Sequence, residues 1–220
     1  VYSLEMTGGA LAQRLIAAQA KIKKDLLRSA KVFDHAESAA RLFPAVQALV
    51  DLDLHICDQP GVTVREIRSM ALGERRRRPV RLVVIDYLGL IEHEGRERST
   101  ADQIAEVTRT LKRLARELGC PVMLLCQLNR EVDQRANKRP VLRDLRDSGA
   151  IEQDADVVQF LYRDEYYNPD KTQHPGQVEV ITAKCREGEI GTDYLTWQGQ
   201  YQLMESNSIY DKAAEPAWDY

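Results

Sequence analysis

Leu82, Val83, Val84 and Ile85 form an unbroken apolar run that ends in a carboxylate, Asp86, and no other stretch narrows the choice of folds as far. A strand with one solvated face alternates apolar and polar residues. A continuous run of this length reads instead as a strand buried on both faces, the kind that lies in a parallel sheet between layers of helix. The aspartate at its end has two readings: it caps the loop that follows, or it stands where an α/β domain does its chemistry.

The rest of the chain supplies the layers. Apolar residues recur at helical spacing over residues 10–22 and again over 35–50, where Pro44 is expected to interrupt or bend the helix. Residues 52–57 have strand character. Thr63 followed three residues later by Glu66 is capping-box spacing; it opens a helix that runs to the basic cluster Arg75, Arg76, Arg77 and Arg78 and is stopped by Pro79. Cations at a helix end favour its dipole, so that cluster reads as a solvated face. Residues 99–118 form a long amphipathic pattern closed by Gly119, and residues 121–127 a second apolar strand ending in Gln127. Further strands are expected at 157–162, 178–183 and 194–201, the last turning at Gln198 and Gly199. Strands separated by helices predict an α/β fold, a mainly parallel sheet flanked by helices, with antiparallel strands added late. With 44% hydrophobic residues, 220 residues suffice for one sizeable core, hence one domain.

A net charge of -3 excludes a general polyanion-binding surface, so any nucleic-acid contact must come from local basic loops. Cys57, Cys120, Cys126 and Cys185 form no C-x-x-C pair and no regular framework, which reads as a reduced, cytosolic protein. Neither a charged-then-apolar leader nor an apolar run near the ~18 residues of a membrane span can be read. Secretion and membrane contact are not expected, and a cytoplasmic location is.

Ligands of open α/β sheets sit beyond the carboxyl ends of the strands, which gives the polar residues at those ends one shared location. Glu5, Asp86 and Gln127 each occupy such an end. Two carboxylates and an amide suit phosphoryl transfer, although something polar must end every strand, and spacing alone leaves both readings open.

Five blocks decide between them. Ser3-Leu-Glu-Met6, Val83-Val-Ile-Asp-Tyr-Leu88, Cys126-Gln-Leu-Asn-Arg130, Leu145-Arg-Asp-Ser-Gly-Ala-Ile-Glu-Gln-Asp-Ala-Asp156 and Lys184-Cys-Arg-Glu-Gly188 resemble, in order, the motifs of the DnaB-type replicative DNA helicase. The segment from Ser148 to Asp156 is the most distinctive, while the Asp86 block would fit the wider RecA-like class. The resemblance implies a RecA-like ATPase core that assembles as a homo-hexameric ring around single-stranded DNA and unwinds duplex, using ATP and Mg²⁺, with primase and a helicase loader as partners. It implies that Glu5 polarises the attacking water, Asp86 supports Mg²⁺ as the Walker B carboxylate, and Gln127 senses the γ-phosphate. Lys184 and Arg186 match a trans-acting basic pair, the finger reaching the next subunit's nucleotide. Arg146, Asp147, Ser148 and Gly149 match a DNA-contacting loop. A second DNA candidate is the loop from Glu92 to Ser99 with Arg96 and Arg98, weakened by Glu92, Glu94 and Glu97.

One part of the family pattern is missing. None of the 12 glycines is followed by Lys, so G-x-x-x-x-G-K-[ST] occurs nowhere, and the family's first strand and phosphate loop are absent from these residues. Residues 1–205 therefore read as a RecA-like helicase core, amino-terminally truncated, with residues 206–220 as a carboxyl-terminal tail. The strand-like opening at Val1, without Met, reads as a piece of something longer. Two alternatives stand beside this: a non-hydrolysing module that joins a helicase ring and offers its finger in trans, and a RecA-like ATPase of recombination or repair. In every case the 220-residue chain alone is expected to be inactive, with an unpaired strand edge where the missing strand would lie.

Overall fold

The computed structural model describes residues 1–93, 99–145 and 149–206. Two sheets organise it. β1 (Tyr2–Ser3), β2 (Val83–Asp86) and β3 (Val122–Leu124) lie parallel in that order, with Tyr2 level with Ile85, Ser3 with Asp86, and Ile85 with Leu124. β4 (Val157–Tyr162), β5 (Gln177–Cys185), β6 (Gly191–Gln198) and β7 (Leu203–Ser206) form an antiparallel meander. The late antiparallel strands thus make a sheet of their own.

The helices over the parallel sheet follow their sequence signals. α4 (Val64–Arg77) starts at Thr63, whose hydroxyl accepts the Glu66 N–H at 3.3 Å while the Glu66 carboxylate accepts the Thr63 N–H at 2.8 Å. That is a complete capping box. α5 (Thr100–Leu118) is capped by Ser99, which accepts the Asp102 N–H at 3.2 Å, and ends at Gly119 in the left-handed conformation that glycine adopts without strain. Its stripe of Ile104, Val107, Leu111, Leu114 and Leu118 is buried. These residues share one cluster with Ile67 and Ala71 of α4, Val83 and Ile85 of β2, and Val158 and Phe160 of β4. One core therefore spans both sheets, with Leu114 and Ile85 fully buried; each such side chain stabilises by about 1.5–3 kcal/mol.

α1 (Gly8–Ala20), α2 (Lys24–Arg28) and α3 (Ala36–Val50) enclose a second, smaller cluster of Ala20, Ile22, Val32 and Ala45. α3 continues through Pro44, so the helix is not interrupted there. Pro44 and Ala40 are both exposed, so the Ala40 carbonyl that loses its N–H partner faces water. Residues 52–57 also depart from expectation, contributing one bridge, Cys57 to Tyr2, because β1 offers only two residues to pair with. The 194–201 reading divides at its turn, and β7 beyond it was not legible as a strand. The Arg75 to Arg78 cluster is engaged at the helix end: Arg75 donates to Glu117 O at 2.6 Å and Arg78 to Asp53 at 2.7 Å.

Among the described residues β3 pairs only with β2, and β4 only with β5, so each sheet presents an open edge. Met123 of β3 and Leu161 of β4 are 53% and 56% exposed. Among the described residues no helix is long and apolar enough to cross a membrane.

Candidate nucleotide site and finger

The parallel register brings three of the expected residues to one edge. Leu4 N–H donates to Asp86 O at 2.7 Å, so Glu5 is the next residue beyond the last rung between β1 and β2. Leu125 N–H donates to Ile85 O at 3.0 Å, extending the β2–β3 pairing one residue past β3, and Gln127 follows two residues later. Asp86 is half-buried, and Glu5 and Gln127 are exposed. The turn after β1 is tied down: Ser3 Oγ donates to Met6 O at 2.8 Å, Thr7 caps α1, and the Gly8 N–H donates to Asp58 at 2.6 Å. Burial pushes the Cys126 thiol up to about 11, so the residue beside Gln127 is an inert packing group.

The loop leading to residue 146 is anchored from below. Asp144, buried, accepts from the Val141 N–H at 2.7 Å and from Arg135 at 2.6 Å, and Leu145 bridges to Leu128, the neighbour of Gln127. Arg146, Asp147 and Ser148 lie outside the described residues, as do Glu94, Arg96, Glu97 and Arg98. Glu92, at the edge of the second candidate loop, is bridged to Thr63. Gly149 is the first residue of α6 (Gly149–Asp154), and among the described residues a Cβ there would meet nothing within 4 Å.

The basic pair sits elsewhere, at the end of β5. Lys184 is level with Val158, and its ammonium donates to the Glu152 carbonyl of α6. Arg186, one residue beyond the strand, donates its N–H to Asp156 O at 2.9 Å and faces the Asp156 carboxylate at 3.4 Å. It lies on the wall of an open groove of about 800 Å³ shared with Arg109, Lys112, Arg113 and Arg116 of α5. Within one chain, the Lys184 and Arg186 pair and the trio of strand-end residues stand on different sheets. Sequence reasoning missed Lys112, Glu152 and Asp156 as partners of this pair. Asp156 stood in a quoted motif, but nothing in spacing brings it to Arg186.

This arrangement has known counterparts. The family model described as DnaB-like helicase C terminal domain matches residues 1–206. The replicative DNA helicase DnaB of Geobacillus stearothermophilus is 39% identical over 218 residues, 98% of this chain and 47% of the relative. The replicative DNA helicase DnaC of Bacillus subtilis (strain 168) is 38% identical over the same shares. Among solved structures, a DnaB-like replicative helicase, studied with its interactions with primase, superposes with a TM-score of 0.90 at 38% identity, over 94% of this chain and 50% of that one. A second solved structure, of an ATPase domain, gives 0.89, also at 38% identity, over 94% of this chain and 73% of that one. The chain belongs to the DnaB-like helicase C-terminal domain family, with the RecA-like fold expected of it. It spans about half the length of the curated relatives it matches.

Proposed function

We propose that this chain is the ATP-hydrolysing core of a replicative DNA helicase, working in the cytoplasm as a homo-hexameric ring on single-stranded DNA. The observation that carries the reading is the register that sets Glu5, Asp86 and Gln127 at one sheet edge in a member of this family. Glu5 orients the attacking water, Asp86 holds the metal side of the site, and Gln127, able to donate and accept, reads the γ-phosphate.

The donor set fits Mg²⁺ in one particular way. Among the described residues no group of three or more His, Cys, Asp or Glu could hold a metal. A site with one carboxylate, Asp86, suits an ion that keeps its waters and takes its other ligands from phosphate oxygens. When bound, Mg²⁺ neutralises charge on the β- and γ-phosphates. The triphosphate itself is gripped by a phosphate loop from outside these 220 residues, so the chain alone neither hydrolyses ATP nor unwinds DNA.

Lys184 and Arg186 act in trans, on the nucleotide of the next subunit. Arg146, Asp147, Ser148 and Gly149 track the DNA backbone, and the lack of a Cβ at Gly149 suits a close approach of the main chain to phosphate. Primase and a helicase loader are the protein partners of this reading.

A subunit-mixing experiment in the full-length helicase tests it. Asp86→Ala and Arg186→Ala rings are each expected to lose DNA-stimulated ATPase, the latter by roughly 10³- to 10⁵-fold. Mixed rings are expected to recover up to about a quarter of the wild-type rate, because random head-to-tail neighbours set a sound site against a sound finger at about one interface in four. No recovery would overturn the trans assignment. ATPase from the 220-residue chain alone, abolished by Asp86→Ala, would overturn the need for an outside loop.

A further inference from the structure

Asp156 stands between two cations. Its Oδ2 accepts from the Lys112 ammonium of α5, its Oδ1 faces Arg186 Nη1, and its carbonyl accepts the Arg186 N–H. The main-chain bond adds a rung beyond the pairing of Val157 with Cys185, so a single residue restrains both the backbone and the guanidinium of Arg186. The side chain of Asp156 is 55% exposed and belongs to no apolar cluster, so core packing does not explain an acid here.

The two contacts differ in strength. Lys112 is in direct contact and is the main reason the Asp156 carboxyl is lowered from its ordinary value, with the charges of Arg186 and Lys184 adding to it. Arg186, at 3.4 Å, is steered and not tightly paired. Lys112 is therefore the closer partner of the carboxylate, and the Arg186 guanidinium is held less tightly. Nη1 faces Asp156 at 3.4 Å, and a guanidinium fork with five N–H groups has more donors than one carboxylate oxygen engages, leaving others for phosphate oxygens. A long side chain already restrained loses less freedom when it engages a ligand.

We propose that Asp156, steadied by Lys112, is a positioning residue that presents Arg186 to the nucleotide of the neighbouring subunit. The proposal rests on the trans-acting role assigned above. Asp156→Asn keeps the shape and the carbonyl rung but removes the charge. In full-length rings it is expected to lower kcat of DNA-stimulated hydrolysis by roughly 10- to 100-fold with little change in KM, and Asp156→Glu to recover part of the loss.

Mixing separates this role from a structural one. Asp86→Ala subunits have dead sites but sound fingers, so Asp156→Asn rings mixed with them are expected to exceed the rate of Asp156→Asn rings alone. Arg186→Ala mixed with Asp86→Ala runs in parallel. If that control recovers and Asp156→Asn does not, Asp156 serves its own subunit and the positioning role is lost while the trans reading stands. If neither recovers, the trans reading fails as well. An unchanged kcat in Asp156→Asn, or its failure to enter rings at all, would also sink the proposal.

Discussion

The parallel sheet and the antiparallel meander meet in one core but are built by opposite rules. β1, β2 and β3 run two to four residues and are covered by helices, and the expected reactive side chains stand where they end. The meander's strands run four to nine residues, and β4 alternates exposed and buried along its whole length, with one face to solvent. Short parallel strands in one register bring their ends to one edge, which suits residues proposed to converge on one phosphate. β5 is longer and partly buried along its length, and Arg186, one residue beyond its end, is exposed, which suits a cation proposed to reach a neighbouring subunit. The two sheets thus divide the proposed chemistry between receiving a nucleotide and completing a neighbour's.

Three substitutions test how far the two halves depend on each other. The largest effect is expected from Leu114→Ala, at the fully buried centre of α5, which should destabilise by about 2–5 kcal/mol in urea or thermal unfolding. Because Val158 and Phe160 share its cluster, the meander should melt in the same transition. Two resolved transitions would break the claim of a common core. A smaller effect, about 1–3 kcal/mol, is expected from Glu179→Ala. Buried Glu179 on β5 accepts two hydrogen bonds from Arg139, at 2.7 and 2.6 Å, and Arg139 lies 4.7 Å over the Tyr162 ring. Its loss should raise hydrogen exchange in β4 and β5 first; uniform exchange across both sheets would show that the pair supports the whole chain. The smallest belongs to Thr63→Ala, which removes the cap of α4 on the parallel side and should cost about 1 kcal/mol. An unchanged Tm would mean that packing of Ile67 and Ala71 alone holds that helix.

Legibility in the sequence followed the range of the interactions. The start of α4, the end of α5 and the span of β4 depend on residues within a few positions of one another, and they were readable. The single bridge at Cys57 was not, because strand character over 52–57 carries no information about how short the facing β1 is. That the helix would run on past Pro44 was not readable for a related reason: the cost of the proline depends on whether its unpartnered carbonyl reaches water, which only the folded surface decides. At the site, Glu5, Asp86 and Gln127 could be named from strand ends and motif matches. The Lys112–Asp156–Arg186 cluster could not, since it joins an exposed helix face, a loop and a strand end that no local pattern connects.

The pairing of β1 has a consequence for synthesis. Tyr2 and its partner Ile85 lie roughly 80 residues apart, whereas partners within the meander lie roughly 5 to 30 apart. At about 5–20 residues per second, β1 waits roughly 4–16 s for its partner to be made, while each meander strand waits a few seconds at most. The bridge to Cys57 can form earlier, so for the remainder of that interval the strand that leads to Glu5 lacks its β2 partner, and that is when a chaperone or a wrong partner has access to that side of it.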